Sequence, residues 1–172
     1  MVKMVHGNIL DSDAEAIVNT VNCVGIMGKG LALQFKKAHP DNFEAYRKAC
    51  DAGAVKPGSM FIFEIGSMIN PRYIINFPTK RHWKEKSRIE DIETGLKSLI
   101  EGVRKRNISS IAVPPLGCGL GGLKWSVVQA MIEKAFAKLP AVHVLLFEPG
   151  ETPNTGAISL RAAGGYTKEG GN

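Results

Sequence analysis

The residues best suited to hold a ligand lie in two glycine-rich stretches. "NTVNCVGIMGKGLALQF" (19–35) begins like a buried strand and ends like a helix, with Gly25, Gly28 and Gly30 between. "PPLGCGLGGLKW" (114–125) repeats the arrangement with Gly117, Gly119, Gly121 and Gly122. Glycine costs about 0.5–1 kcal/mol against alanine within regular structure, so clusters of it answer a need. Between a strand and a helix start, backbone N–H groups point outward and the helix dipole favours an anion. Two such loops can cradle a diphosphate from opposite sides. Tight turns are the plain alternative. Neither loop has the GxxxxGK[ST] of a P-loop, and neither fits a dinucleotide fingerprint with its distal acid.

A third stretch, "TKRHWKEKSR" (79–88), sets Lys80, Arg81, Lys84, Lys86 and Arg88 around Glu85, with His82 and Trp83 among them. Cations can follow phosphates while an aromatic ring stacks on an unpaired base. The same composition also describes a solvated loop anchored by a half-buried tryptophan. Cys118 can be read as a nucleophile or as a small residue filling tight space, and no histidine stands near it in sequence. The cysteines (Cys23, Cys50, Cys118) and histidines (His6, His39, His82, His143) have no metal-ligand spacing. Asp11, Asp13 and Glu15 read as a solvated turn, so no metal is expected.

The elements that must carry these stretches alternate. Val- and Ile-rich segments at 2–6, 16–22, 60–66, 73–78, 111–115 and 142–147 read as strands. A helix from Gly30 to Ala38 should stop before His39-Pro40. Asp41 with Glu44 predicts a capping box for a helix to Ala52, and Ser87 with Glu90 predicts another. Behind the second, Ile89, Ile92, Leu96, Leu99, Ile100 and Val103 form one apolar face. Val128, Met131, Ile132, Ala135, Phe136 and Leu139 mark the last helix. Strands separated by helices imply an α/β fold with a mixed, mostly parallel sheet covered on both faces. The pattern fails from about Pro149, so 1–148 reads as one domain and 149–172 as a tail or linker outside the fold.

The 172 residues suffice for one well-packed core. No apolar run approaches the roughly 20 residues that span a bilayer. The first residues lack a signal peptide's layout, and the scattered cysteines fit a reducing compartment, so a cytoplasmic location is expected. The net charge of +6 suits a polyanionic partner.

"GNIL" (7–10), "NTVN" (19–22), the glycine loop to Gly30 and "PPLGCGLGGLKW" together resemble the macrodomain family in its order over residues 1–148. The resemblance implies a three-layer α/β/α fold that binds ADP-ribose without a cofactor. It implies Asn8 and Ile9 near the adenine, with Asn8 where many members have Asp, and Asn22 near the distal ribose. It sets Gly25, Gly28 and Gly30 of one loop around the diphosphate and that ribose. Gly117, Cys118, Gly119, Leu120, Gly121 and Gly122 of the other loop join them.

"NTVNCVGIMGKGLALQFKKAHP" with "NFPTKRHW" is similar to the branch holding the DarG antitoxins and the terminal ADP-ribose protein glycohydrolase. That resemblance makes Lys80 the catalytic residue. The protein-directed member has aspartate where this chain has Gly121. The departure favours the DarG type, which removes ADP-ribose from thymine bases of single-stranded DNA and so counters a DNA ADP-ribosyltransferase toxin. Arg81, His82, Trp83 and Lys84 would then guide the strand, and the toxin would be met through a second domain absent here. Two other readings stay open: hydrolysis of ADP-ribosyl protein carboxylates, and a module that binds ADP-ribose without cleaving it.

Overall fold

The computed structural model describes residues 1–150. The expected tail lies outside the described residues apart from its first two positions. Six strands form one sheet: β1 (Val2–Val5), β2 (Ala16–Val21), β3 (Phe61–Glu64), β4 (Tyr73–Pro78), β5 (Ser110–Val113) and β6 (His143–Phe147). Their order is β1-β6-β5-β2-β4-β3. Every pairing is parallel except that of β3 with β4, which closes one edge as a hairpin. Four helices cover the sheet: α1 (Gly30–Ala38), α2 (Pro40–Asp51), α3 (Ile89–Lys105) and α4 (Trp125–Phe136).

The period of two along each strand sorts the core. On β2, Ala16 and Val18 point to the layer built by Leu96 and Leu99 of α3 and Val128 and Ile132 of α4. Ile17 and Val21 point to the other layer, with Phe35 of α1 and Tyr46 of α2. The result is a three-layer α/β/α arrangement. α3 lies so close on β4 that a Cβ on Gly95 would overlap the Phe77 ring, three residues before Lys80. This contact fixes the end of β4.

Both expected caps differ from observation. α2 begins at Pro40, whose fixed φ suits the first helical position, so His39 is the cap residue and Asp41 falls inside the first turn. α3 is preceded by Arg88, not Ser87. The Ser87 N–H instead donates to the Gly121 carbonyl at 3.0 Å, and the residue is 8% exposed beneath the glycine loop. β5 stops at Val113, because Pro114 and Pro115 have no N–H for the ladder. α4 stops short of Leu139.

Two features of the α2 layer escaped the sequence reading. Asn19, Asn42 and Asn76 are fully buried. Asn76 donates to Asn42 Oδ1 at 2.8 Å and to the Phe61 carbonyl at 3.1 Å, while its own Oδ1 accepts from Asn42 and Asn19. The Tyr46 hydroxyl donates to the Asn22 carbonyl and Oδ1, at 2.8 and 2.7 Å. Burial pushes that phenol far above its usual pKa, so it remains a donor. Each polar group ties α2 to the strands that end at the site.

Candidate active site

β2, β4 and β5 run parallel and deliver three loops to one end of the sheet, where ligands sit in folds of this class. Between them lies a cleft of about 790 Å³. Asn22, Ile26, Gly28 and Gly30 form one wall, Lys80, Trp83, Lys84 and Lys86 a second, and Gly117, Gly119, Leu120 and Gly121 a third. A shallower hollow of about 440 Å³ shares Gly30, Leu31, Pro114 and Pro115 with it and ends at Gly7, Asn8 and Ile9. Together they make one long groove with the α1 N-terminus at its middle, a size and polarity suited to an extended anionic ligand.

Gly25, Arg81, His82, Cys118 and Gly122 stand behind the wall rather than on it. Gly25 backs onto Arg47 and Cys50. Gly122 lies against the Lys86 stem. The Asn22 side chain knits its own loop: Nδ2 donates to the Ile26 carbonyl at 2.7 Å, and Oδ1 accepts from Val24 N at 3.0 Å. Asn8 Oδ1 accepts from Leu10 N at 3.0 Å and so shapes the turn at Ile9–Asp11. The Arg81 guanidinium pairs with both oxygens of Asp91, at 3.1 and 3.2 Å. His82 Nδ1 accepts from Lys84 N, and its ring stacks on Trp83. The Cys118 thiol faces the Leu116 carbonyl, and burial pushes it up to about 11, which disfavours the reactive thiolate.

The segment that carries Lys80 has no regular structure but is tied at several points. Thr79 N and Lys80 N donate to the Val21 carbonyl, at 2.9 and 3.4 Å. Cys23 N donates to the Arg81 carbonyl at 3.2 Å. The Arg81–Asp91 pair joins it to α3, and the Ser87–Gly121 bond joins it to the third loop. At Gly121 a Cβ would overlap Ser87 Oγ and the Gly117 carbonyl oxygen, and would stand 2.9 Å from the Gly117 carbonyl carbon. No aspartate fits there while this bond persists.

The Macro domain family model matches residues 18–132, which span the cleft and most of the sheet. The chain is a macrodomain. It is 50% identical over 158 residues to a DNA ADP-ribosyl glycohydrolase of Thermus aquaticus, covering 92% of this chain and 44% of that protein. The chain thus spans under half the length of that relative. Among solved structures it is similar to the macrodomain of Mycobacterium tuberculosis DarG, at 49% identity and a TM-score of 0.86. That match covers 87% of this chain and 99% of the other. Thermosipho africanus DarTG in complex with ADP-ribose is similar at 35% identity and a TM-score of 0.81, covering 91% and 43%.

In this macrodomain the cleft wall carries Lys29, Lys80, Lys84 and Lys86 against a single carboxylate, Glu85. Burial, and after it the ammonium groups of Lys86 and Lys29, lower the Lys80 pKa from the usual lysine value. Lys29 did not emerge as a site residue from the sequence, and Lys86 emerged only within the basic run. Lys29 lies inside the first glycine loop, where the glycines drew attention, and Lys86 is one cation of a basic run. Among the described residues, no group of three His, Cys, Asp or Glu is placed to hold a metal, and no helix is long and apolar enough to cross a membrane.

Proposed function

We propose that this macrodomain is a hydrolase that removes ADP-ribose from thymine bases of single-stranded DNA, as the antitoxin of a DNA ADP-ribosyltransferase. The observation that carries the reading is the position of Lys80. It stands on the wall between the two glycine loops, with its pKa lowered by burial and by two further cations. ADP-ribose occupies the groove with its adenine towards Asn8 and Ile9. Its diphosphate lies at Gly28, Gly30, Gly117 and Gly119, and its distal ribose near Lys80. The likeness to a DNA ADP-ribosyl glycohydrolase at 50% identity supports the substrate class, and that to DarTG in complex with ADP-ribose supports the ligand.

The reaction breaks the bond between the anomeric carbon and a base nitrogen. The bonding electrons leave with the base, the base takes up a proton, and a water oxygen replaces it on the carbon. Lys80 serves this in one of two ways. As an ammonium it stabilises or protonates the departing base. As a free amine it attacks the anomeric carbon, the base leaves with the bonding electrons and takes up a proton, the ribose ring opens to a Schiff base, and water then hydrolyses that to free the amine. The lowered pKa favours the free amine, whereas ligand phosphates pull the other way.

The test follows ADP-ribose release from a single-stranded oligonucleotide with one ADP-ribosylated thymine, and from a protein ADP-ribosylated on glutamate. Release from DNA alone, abolished by Lys80→Ala with ADP-ribose affinity kept, is the expected result. Release from protein alone would move the activity to the carboxylate-directed branch. No release with ADP-ribose bound would leave a binding module.

A further inference from the structure

Three of the exposed apolar side chains converge on the mouth of the cleft, and each comes from a different loop. Ile26, Trp83 and Leu120 are 44%, 43% and 61% exposed, and all three line the cleft that holds Lys80. Exposed apolar surface from three separate segments at one opening marks a recognition site more than chance scatter. Trp83 is set in place by stacking on His82, with centroids 5.5 Å apart, and by the Lys84 ammonium 4.9 Å from its ring. Around the three stand Lys29, Lys84 and Lys86, with Glu85 as the one opposing charge on the wall. The opening therefore offers apolar surfaces ringed by cations.

We infer that Ile26, Trp83 and Leu120 form an aperture that grips the base being released, while Lys29, Lys84 and Lys86 take the phosphates on either side of it. The inference rests on the DNA-directed reading above and adds what selects the substrate. A nucleobase has two flat faces that gain from stacking and apolar contact, and a flanking phosphate on each side. The methyl group of thymine adds an apolar contact of its own. A glutamyl or aspartyl ester has no flat face and no flanking phosphate, so it gains nothing from the aperture. Selectivity for DNA thus arises at the mouth, apart from the diphosphate grip that both substrates share.

The first loop supplies a matched control. Val24 is 41% exposed, two residues from Ile26, yet is not on the cleft wall. Both side chains are aliphatic, and the loop's hydrogen bonds at these positions use backbone atoms. In a Lys80→Ala background, which halts turnover, affinity is measured for free ADP-ribose and for the oligonucleotide carrying ADP-ribosylated thymine. Adding Ile26→Ser should reduce the oligonucleotide's advantage over free ADP-ribose about tenfold, and adding Val24→Ser less than about twofold. Because Ile26 lines the cleft, any loss shared by both ligands cancels in this ratio, and only the part specific to the oligonucleotide counts.

An advantage that survives Ile26→Ser, or that falls equally with Val24→Ser, overturns the aperture. So does equal binding of free ADP-ribose and the oligonucleotide before either change. A preserved advantage for the oligonucleotide with no release from it by the unsubstituted protein would overturn the catalytic reading alone.

Discussion

Placing one methyl group on Gly121 tests how the third loop is held. Its φ lies outside the left-handed region, so the cost comes from contact rather than backbone strain. The added Cβ would overlap Ser87 Oγ and the Gly117 carbonyl oxygen. The Gly117 carbonyl cannot step aside cheaply, because it is backbone and accepts from Leu123 N at 2.9 Å, while Ser87 is buried with little room for its Oγ to turn. Overpacking costs about 1–3 kcal/mol, and backbone neighbours put this site near the top, about 3 kcal/mol. At about 2–4 °C per kcal/mol for a chain of this size, Gly121→Ala should lower Tm by about 6–12 °C. If the loop yields locally instead, Tm holds and ADP-ribose affinity falls at least about tenfold, the equivalent of 1.4 kcal/mol. Gly119→Ala is the control, because nothing lies within 4 Å of its added Cβ, and its Tm should stay within about 2 °C. Thermal scans and ADP-ribose titration calorimetry read both. Gly121→Ala with unchanged Tm and unchanged affinity would refute the close packing of Ser87 under the loop.

Asn42→Ala strands the amide of Asn76 in the core and should destabilise by about 1–3 kcal/mol, seen as a lower urea midpoint with unchanged slope. Lys86→Gln removes an ammonium that disfavours the charged form of Lys80, so the Lys80 pKa rises. The limb of kcat/KM against pH that reports Lys80, basic for an ammonium and acidic for a free amine, should move upward, and a fixed or lower midpoint would refute the coupling. Arg81→Ala leaves the 5% exposed Asp91 without its partner and unties Lys80 from α3. It should cost about 1–3 kcal/mol in stability and lower kcat, with little change in the salt dependence of oligonucleotide binding, because the guanidinium is already committed.

Periodicity and glycine placement made most of the architecture legible. The α3 face from Ile92 to Val103, the stop of α1 before His39-Pro40, and the two strand–loop–helix junctions all follow from local rules. Ser87 and Asp41 were misread as caps for a shared reason. A capping box is a local pattern, and each pattern lost to a competing demand: Pro40 at a helix start, and a backbone bond to Gly121 across 34 positions. Asn19, Asn42 and Asn76 were opaque because an asparagine inside a strand carries no sign of its partners until α2 is laid over it. The glycines of one loop also divide in a way spacing does not show. Gly28 and Gly30 line the cleft, while Gly25 packs against α2. Lys80 itself came from family likeness, since a lysine in a basic run has no distinguishing local signature.

The ties on the segment from Thr79 to Ser87 have a thermodynamic side. A loop that closes over its ligand surrenders configurational entropy at the moment of binding, and part of the gross interaction energy goes to that ordering. Here the backbone around Lys80 is already fixed to β2, to α3 and to the third loop before any ligand arrives. Binding ADP-ribose should then leave the backbone of 79–88 in place. Association should be governed by diffusion and long-range charge attraction, with rates that fall as salt rises and lack a slow second phase.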